Sequence, residues 1–172
     1  FGQLSNEFFV GGSGLRLRGY AGAGRTRPLG DLRDIGYTGE TQVAGIGASY
    51  PVVRSRPFNF YLNASFDLFD TEVMTSASGT ATRASMDKVR VLRFGTDTQV
   101  LENWLSVFPA ATTIANLRVH RGLDILGATS NGYQLSGRSG AEDFSFTKIT
   151  GEIQRTQPIW SPGEGQMINV QG

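Results

Sequence analysis

The chain has 172 residues with 16 basic and 15 acidic side chains, so it is long enough for one domain and lacks the basic excess of nucleic-acid-binding proteins. Its mean hydropathy is -0.19, and no stretch approaches the roughly 20 apolar residues of a membrane-spanning helix, which excludes a helical membrane protein. These values are compatible with a membrane β-barrel, because the alternating apolar and polar residues of its strands also average to a polar composition. The chain has 23 glycines and no cysteine. This composition fits a bacterial envelope protein without disulfides, and it also fits many cytosolic proteins.

The predicted elements are almost all strands, separated by turns and loops rich in glycine, proline and serine. No segment has the apolar period of 3.6 residues that would predict an amphipathic helix. In chain order the predicted strands are 15–21, 41–50, 58–70, 87–99, 104–119, 144–157 and 167–172. The strands 41–50 and 58–70 are expected to form a hairpin.

The strand 58–70 has the clearest pattern, because apolar residues at the even positions from Phe58 to Leu68 alternate with polar residues such as Asn59, Asn63 and Asp67. Successive strand side chains point to opposite faces, so one face meets an apolar phase and the other meets polar groups. Strands of globular proteins are usually about five or six residues long, whereas one that crosses a bilayer needs roughly nine to eleven.

Turns and loops are predicted to alternate in length. The segments 51–57 and 161–165 are expected to be short turns, and 71–85 and 122–143 long polar loops. Bacterial outer-membrane barrels have short periplasmic turns and longer extracellular loops. Aromatic residues near strand ends fit the girdles of such a barrel; they are Tyr50, Phe69, Trp104, Phe108 and Trp160. The sequence thus predicts an all-β antiparallel transmembrane barrel or a segment of one, and a soluble β-barrel or sandwich fits the same pattern.

Catalytic and metal sites have little support. His120 is the one histidine and cysteine is absent, so thiol nucleophiles and sites with several His or Cys ligands are unavailable. No Gly-x-Ser-x-Gly or His-Glu-x-x-His motif is present. Asp67 and Asp70 stand three apart on a predicted strand and should point to opposite faces, which argues against a carboxylate pair. The sequence predicts no enzyme, no metal site and no cofactor.

Six blocks of the chain form an ordered series. They are 35–41 (IGYTGET), 48–56 (ASYPVVRSR), 121–128 (RGLDILGA), 139–141 (SGA), 143–148 (DFSFTK) and 154–159 (QRTQPI). Their succession, which covers most of residues 30 to 160, resembles the barrel of the two-partner secretion transporters. These are the haemolysin activation and secretion proteins of the Omp85 superfamily.

The resemblance implies a fold and a function. Members of that family carry periplasmic POTRA domains before a 16-stranded barrel and move a partner exoprotein across the outer membrane. Residues 1–172 are then expected to be a partial outer-membrane β-barrel domain of roughly 7–8 strands, without the POTRA domains and the later strands. Both ends are expected to be cut edges. The implied partners are the secreted exoprotein and outer-membrane lipid, with no nucleic acid.

A pore for an unfolded polypeptide needs hydration and dispersed hydrogen-bonding groups, without a strong site that would hold the chain. Polar residues of the predicted strands fit such a lining; they are Arg16, Arg18, Asn59, Asn63, Asp67, Arg118 and His120. On a soluble sheet the same residues would face bulk water, and periodicity alone does not separate the two cases.

Arg18, Gly19 and Tyr20 have a second interpretation. They resemble the Arg-Gly-Tyr or Arg-Gly-Phe motif on the long loop that enters the lumen of Omp85-type barrels. In that family the loop lies late in the barrel, whereas the blocks after Tyr20 match early strands. The other interpretation makes Arg16 and Arg18 lumen-facing strand residues.

Three functions are therefore open. The first is an outer-membrane transporter segment that exports a haemolysin-type or adhesin-type exoprotein through a hydrated pore in two-partner secretion. The second is a complete eight-stranded outer-membrane barrel, against which stands the ending Gln171-Gly172, since such barrels close on a strand with a terminal aromatic. The third is a soluble β-barrel that binds a small ligand in its interior.

Overall fold

The computed structural model describes residues 1–27, 36–77, 80–102, 110–130, 133–136, 144–163 and 166–171. The strands are β1 (Gly2–Val10), β2 (Leu15–Thr26), β3 (Thr38–Arg54), β4 (Phe58–Ala77), β5 (Thr80–Glu102), β6 (Ala111–Gly122), β7 (Thr147–Gly163) and β8 (Gln166–Gln171). They form a single sheet in chain order, and each neighbouring pair is antiparallel. The all-β prediction is confirmed. The described part of the chain offers no helix with the length and apolarity to cross a membrane.

The predicted hairpin of 41–50 and 58–70 is formed by β3 and β4, which pair from Thr38 opposite Met74 to Arg54 opposite Asn59. Its connection is shorter than predicted, because β3 continues through Pro51 to Arg54. The register shifts between Pro51 and Val53, and such a bulge is where a strand tolerates a proline without an amide hydrogen.

The prediction of a long loop over 71–85 is wrong. β4 continues to Ala77 and β5 begins at Thr80, so the two strands form one long hairpin that ends where Ala77 stands opposite Thr80. The segment has no apolar alternation because most of its side chains are small or polar on both faces. Its threonines favour extended backbone, and pairing with the opposite strand satisfies the peptide groups.

Other boundaries differ in smaller ways. β1 is not predicted, because Phe8 and Phe9 interrupt its alternation. The strand predicted over 104–119 begins at Ala111, and residues 104–109 lie outside the described residues. Within the long loop predicted over 122–143, Gly122 still belongs to β6 and residues 123–130 and 133–136 contain no strand, while residues 131–132 and 137–143 lie outside the described residues. β7 continues to Gly163 through the predicted turn at 161–165, whose residues 164–165 are not described.

The strand register separates the side chains into two faces. One row of directly opposed residues crosses the sheet from β1 to β7; it is Glu7, Arg18, Gly47, Ser65, Arg93, His120 and Lys148. The row beside it, one residue along each strand, is Phe8, Leu17, Ala48, Ala64, Phe94, Val119 and Ile149. Directly opposed residues share a face and successive residues alternate. The first row defines the polar face of the sheet, and the second defines its apolar face.

The strands are staggered along the sheet. The polar row reaches Lys148 on β7, but β7 pairs with β8 only from Thr156 onward. The row of directly opposed residues that starts on β1 therefore ends on β7 and does not reach β8. Each strand is displaced along its length relative to the one before it, as in barrels whose strands tilt relative to a common axis. Among the described residues, β1 pairs only with β2 and β8 only with β7.

Candidate functional site

All seven residues predicted to line a pore lie on the polar face. Arg18 and His120 belong to the polar row itself, and Arg16, Asn63 and Arg118 belong to the next row on the same face, since Arg16 stands opposite Ser49, Ser49 opposite Asn63, and Arg118 opposite Gly95. Asn59 and Asp67 follow from the alternation of β4. Asp70 points to the other face, as the strand spacing predicts. The sequence assigned these residues to one face without knowledge of the register.

Asp67 is the most buried charged side chain of this face, with 3% of the residue exposed. Its Oδ1 accepts a hydrogen bond of 2.6 Å from the Tyr20 hydroxyl, and its Oδ2 accepts one of 2.9 Å from Ser65 Oγ. Arg93 donates a charged hydrogen bond to the same carboxylate. Three strands thus hold one carboxylate, and the guanidinium compensates its charge.

The hydrogen bonds continue from Asp67 towards β7. Arg93 Nε donates to His120 Nδ1 at 3.2 Å, and His120 Nε2 lies 3.0 Å from Thr150 Oγ1. A continuous polar chain therefore joins β2, β4, β5, β6 and β7 across the face. It fixes the relative positions of strands that are not all neighbours in the sheet.

A second cluster lies one row away on the same face. Asp97 accepts a hydrogen bond of 2.8 Å from Asn63 Nδ2 and pairs with Arg118 Nη2 at 2.5 Å. Arg118 also donates to the Thr96 carbonyl at 2.9 Å. At the edge of the sheet, Arg16 pairs with Glu7 at 3.4 Å. The charges of both signs on this face are therefore largely matched to one another.

Glycines on the polar face make room for these side chains. A Cβ at Gly45 would stand 2.6 Å from Tyr20 Cε1 and 2.8 Å from Asp67 Oδ1, because the tyrosine ring crosses β3 at this residue. A Cβ at Gly95 would meet Arg118 Cδ at 2.5 Å. The cross-strand contacts of both clusters depend on these two glycines.

Replacement of Gly45 by alanine is expected to lower the free energy of unfolding by about 1–3 kcal/mol, because the tyrosine ring and the carboxylate must move apart. The matched control is Gly47→Ala, two residues along the same face of β3, where the nearest atoms would lie 3.4 Å away and little change is expected. Denaturant titration of the refolded protein compares the two. Equal losses would contradict a specific role for the Tyr20–Asp67 contact.

The apolar face carries large side chains that nothing covers. Ile46 is 67% exposed, Phe94 is 54% exposed and Leu62 is 46% exposed, although all three lie near the middle of the sheet. By contrast, few apolar residues of the described chain are buried, among them Val91, Ala111 and Phe144, together with Pro51. The described residues therefore form a sheet without a conventional apolar core, and its apolar side chains point outwards.

Polar residues bound this apolar surface on the side of the long β4–β5 hairpin. Arg83 pairs with Glu72 at 2.5 Å, and Arg25 pairs with Glu40 at 3.3 Å. Arg90 is buried and binds Asp70 together with the carbonyl of Leu126. The apolar surface is thus a band that has a charged border on the side of this hairpin.

The structure places Arg18, Gly19 and Tyr20 in the interior of β2 and not in a loop. Two aromatic residues expected at strand ends differ in orientation. Tyr50 is exposed on the apolar face, while Phe69 lies on the polar face with the Arg93 guanidinium 5.7 Å from its ring centroid. Trp104 and Phe108 lie outside the described residues, as does the side chain of Trp160.

Sequence reasoning missed most partners of the polar clusters. Arg93, Asp97, Ser65 and Thr150 were not singled out, and Tyr20 was considered only as part of a motif. Alternation alone places Arg93 and Asp97 on one face of β5, but their partners depend on the register between distant segments. In the described part of the chain no group of three or more His, Cys, Asp or Glu side chains could hold a metal ion.

Comparisons with protein-family models, curated proteins and solved structures give no match for this chain.

Proposed function

We propose that the chain is an outer-membrane β-barrel segment that exports a haemolysin-type or adhesin-type exoprotein through a hydrated pore in two-partner secretion. The observation that carries this proposal is the pairing of an exposed apolar band with a polar face that holds all seven predicted pore residues. In a barrel of this kind the apolar face contacts lipid and the polar face lines the lumen.

The exposed apolar surface supports a lipid environment. Soluble monomers rarely expose contiguous apolar patches larger than a few hundred Å². The chain exposes 11678 Å² in total, against roughly 8,200 Å² for a compact soluble protein of 18.6 kDa. The exposure of Ile46, Leu62 and Phe94 argues against a soluble β-barrel with a ligand in its interior, since such a protein would cover these side chains.

The height of the band fits a bacterial outer membrane. The apolar residues of β4 run from Phe58 to Leu68, which at about 3.3 Å per residue is roughly 33 Å of strand. A strand tilt of about 40° reduces this length to roughly 25 Å, the height of the apolar band in outer-membrane barrels. The stagger of the register is in keeping with such a tilt.

The connections support an orientation. β3 and β4 are joined by residues 55–57, and β1 and β2 by residues 11–14, at the same end of the sheet. The other end carries the connections 27–37 and 123–146 and the long β4–β5 hairpin. Short turns face the periplasm and long loops face the outside in bacterial barrels. The Thr71–Ala77 and Thr80–Asp87 extensions then project from the cell surface.

The polar face suits the passage of an unfolded polypeptide. Its carboxylates at Asp67 and Asp97 are matched by Arg93 and Arg118, so neither carboxylate would hold the passing chain as an unpaired charge. Serine, threonine and asparagine side chains supply dispersed hydrogen-bonding groups between the charges. The family resemblance of the blocks in β3, at the end of β6 and in β7 supports two-partner secretion as the transport pathway.

Site-specific photo-crosslinking in a Gram-negative cell tests the proposal. A photoreactive amino acid at Asn63, on the polar face, is expected to give adducts with a secreted polypeptide, whereas one at Leu62 should give adducts with lipid. The two positions are neighbours on β4 and differ only in face. Polypeptide adducts from Leu62 alone would contradict export along the polar face, and recovery of the protein in the soluble fraction would contradict the membrane location.

A complete eight-stranded outer-membrane barrel is the second candidate, because the sheet has eight strands in chain order. In that case β1 and β8 would pair, since a barrel in lipid cannot leave an open edge. Cysteine pairs introduced at facing positions of these two strands separate the candidates. Rapid disulfide formation within one molecule supports the small barrel, and its absence supports a larger one.

A further inference from the structure

An open basin of about 450 Å³ lies on the polar face between β2 and β4. The polar-face residues around it include Glu7, Arg16, Arg18, Gly47, Ser49 and Ser65. None of the hydrogen-bonded clusters described above fills it, although Arg93, Asp97 and Arg118 of those clusters stand at its border. The basin is therefore an open space between the hydrogen-bonded clusters, several of whose members line it.

The floor of the basin is Gly47. Gly45 and Gly95, the other central glycines of the polar face, are covered by the side chains of Tyr20 and Arg118. At Gly47 the nearest atoms to an added Cβ are the Ala64 carbonyl oxygen and Ser65 Cβ, both at 3.4 Å. No side chain crosses the strand there, so the backbone of β3 is open to a ligand from the lumen side.

The wall of the basin carries an uncompensated guanidinium. Arg16, Arg93 and Arg118 each pair with a carboxylate. Among the described residues Arg18 has no such partner, because Glu7, which stands directly opposite, pairs with Arg16 at 3.4 Å. The Arg18 Cζ atom lies 5.8 Å from the Tyr20 ring centroid, and this contact with the ring leaves its hydrogen-bond donors available.

We infer that this basin is a carboxylate-binding subsite, in which Arg18 pairs with an acidic side chain of an extended polypeptide that lies over Gly47. Arginine donors match the two oxygens of a carboxylate, and the Ser49 hydroxyl can donate a further hydrogen bond. A single partly exposed ion pair holds its ligand weakly, so a passing chain is slowed and not trapped. The inference rests on the proposed function and adds acidic residues to the features that the pore recognises.

The test uses the refolded protein in detergent micelles and a spin-labelled Gly-Ser peptide that carries one glutamate. The peptide is expected to broaden the backbone amide signals of Gly47 and Ser65, and the same peptide with glutamine should broaden them far less. Arg18→Gln is expected to weaken binding of the glutamate peptide about tenfold. Arg25→Gln, on the same strand but on the opposite face and paired with Glu40, should leave binding unchanged.

Two further variants test the inference if Arg18→Gln folds poorly. Gly47→Leu covers the floor and should abolish the broadening, while Arg18→Lys keeps the charge and should retain part of it. Equal broadening by the glutamate and glutamine peptides would overturn the inference, as would equal weakening by Arg18→Gln and Arg25→Gln. Selective peptide binding without polypeptide crosslinks at Asn63 would contradict the export function and leave the subsite intact. Crosslinks without selective binding would overturn the subsite alone.

Discussion

Replacement of Leu62 by arginine is expected to destabilise the protein in lipid vesicles by about 2–4 kcal/mol, because in the proposed barrel the charge would lie near the middle of the bilayer. Leu62 lies within the apolar band, close to the central row that contains Ala64 and Phe94, and its side chain is exposed. The cost is measured by urea titration of the protein refolded in vesicles. Phe60→Arg and Phe66→Arg, which lie on the same face of β4, are expected to behave in the same way.

The matched control is Asn63→Arg, the adjacent residue on the polar face. This substitution loses the 2.8 Å hydrogen bond from Asn63 to Asp97 but offers Asp97 a new cationic donor, so the cost should be about 1 kcal/mol or less. A larger loss for Asn63→Arg than for Leu62→Arg would mean that the two faces are assigned the wrong way round. Equal small losses would mean that neither face contacts lipid.

Replacement of Asp67 by alanine is expected to cost about 3 kcal/mol of unfolding free energy. The substitution leaves the Tyr20 hydroxyl, Ser65 Oγ and the Arg93 guanidinium without their shared acceptor in a largely buried position. Replacing Arg93 as well removes the uncompensated charge, so the double variant Asp67→Ala, Arg93→Ala should recover part of the loss.

Glu7→Ala is the control for this second experiment. Glu7 also pairs with an arginine of the polar face, Arg16, but both side chains are substantially exposed and their distance is 3.4 Å. An exposed pair contributes roughly 0–1 kcal/mol, so this substitution should change little. A similar cost for Glu7→Ala and Asp67→Ala would contradict the central place of Asp67 in the network.

The local pattern of the sequence predicts where one face of a strand must be apolar. The alternation from Phe58 to Leu68 predicts β4 and its two faces, and the alternation of Leu15 and Leu17 with Arg16 and Arg18 predicts β2. Both strands cross the apolar band, where each face has a different environment. Side-chain chemistry must follow the strand period in such a region.

The pattern is lost where a strand leaves the band. Residues 71–77 and 80–85 carry mostly small and polar side chains on both faces, so the segment has no apolar alternation and resembles a loop. What makes it a strand is pairing with the partner strand, which is a long-range property. β1 is missed for a related reason, because all its residues are exposed at the edge of the sheet.

The contacts within the polar clusters could not be predicted from the sequence either, because they too depend on long-range strand pairing. Tyr20 and Asp67 are 47 residues apart, and Arg93 and His120 are 27 residues apart. Their contacts require the exact register of four strand pairs and the space that Gly45 leaves for the tyrosine ring. Single-strand periodicity assigns the face of each residue but not its partner.

The central claim is that the apolar face of the sheet contacts lipid and the polar face contacts water. Nitroxide labels placed one at a time from Phe60 to Leu68 of β4 in vesicles test it directly, because oxygen partitions into lipid and a charged nickel complex stays in water. The account predicts that labels at the even positions collide mainly with oxygen and labels at the odd positions mainly with the nickel complex. Near Asp67, which is buried, packing is expected to exclude both reagents. Nickel collisions at the even positions equal to those at the odd positions would contradict it.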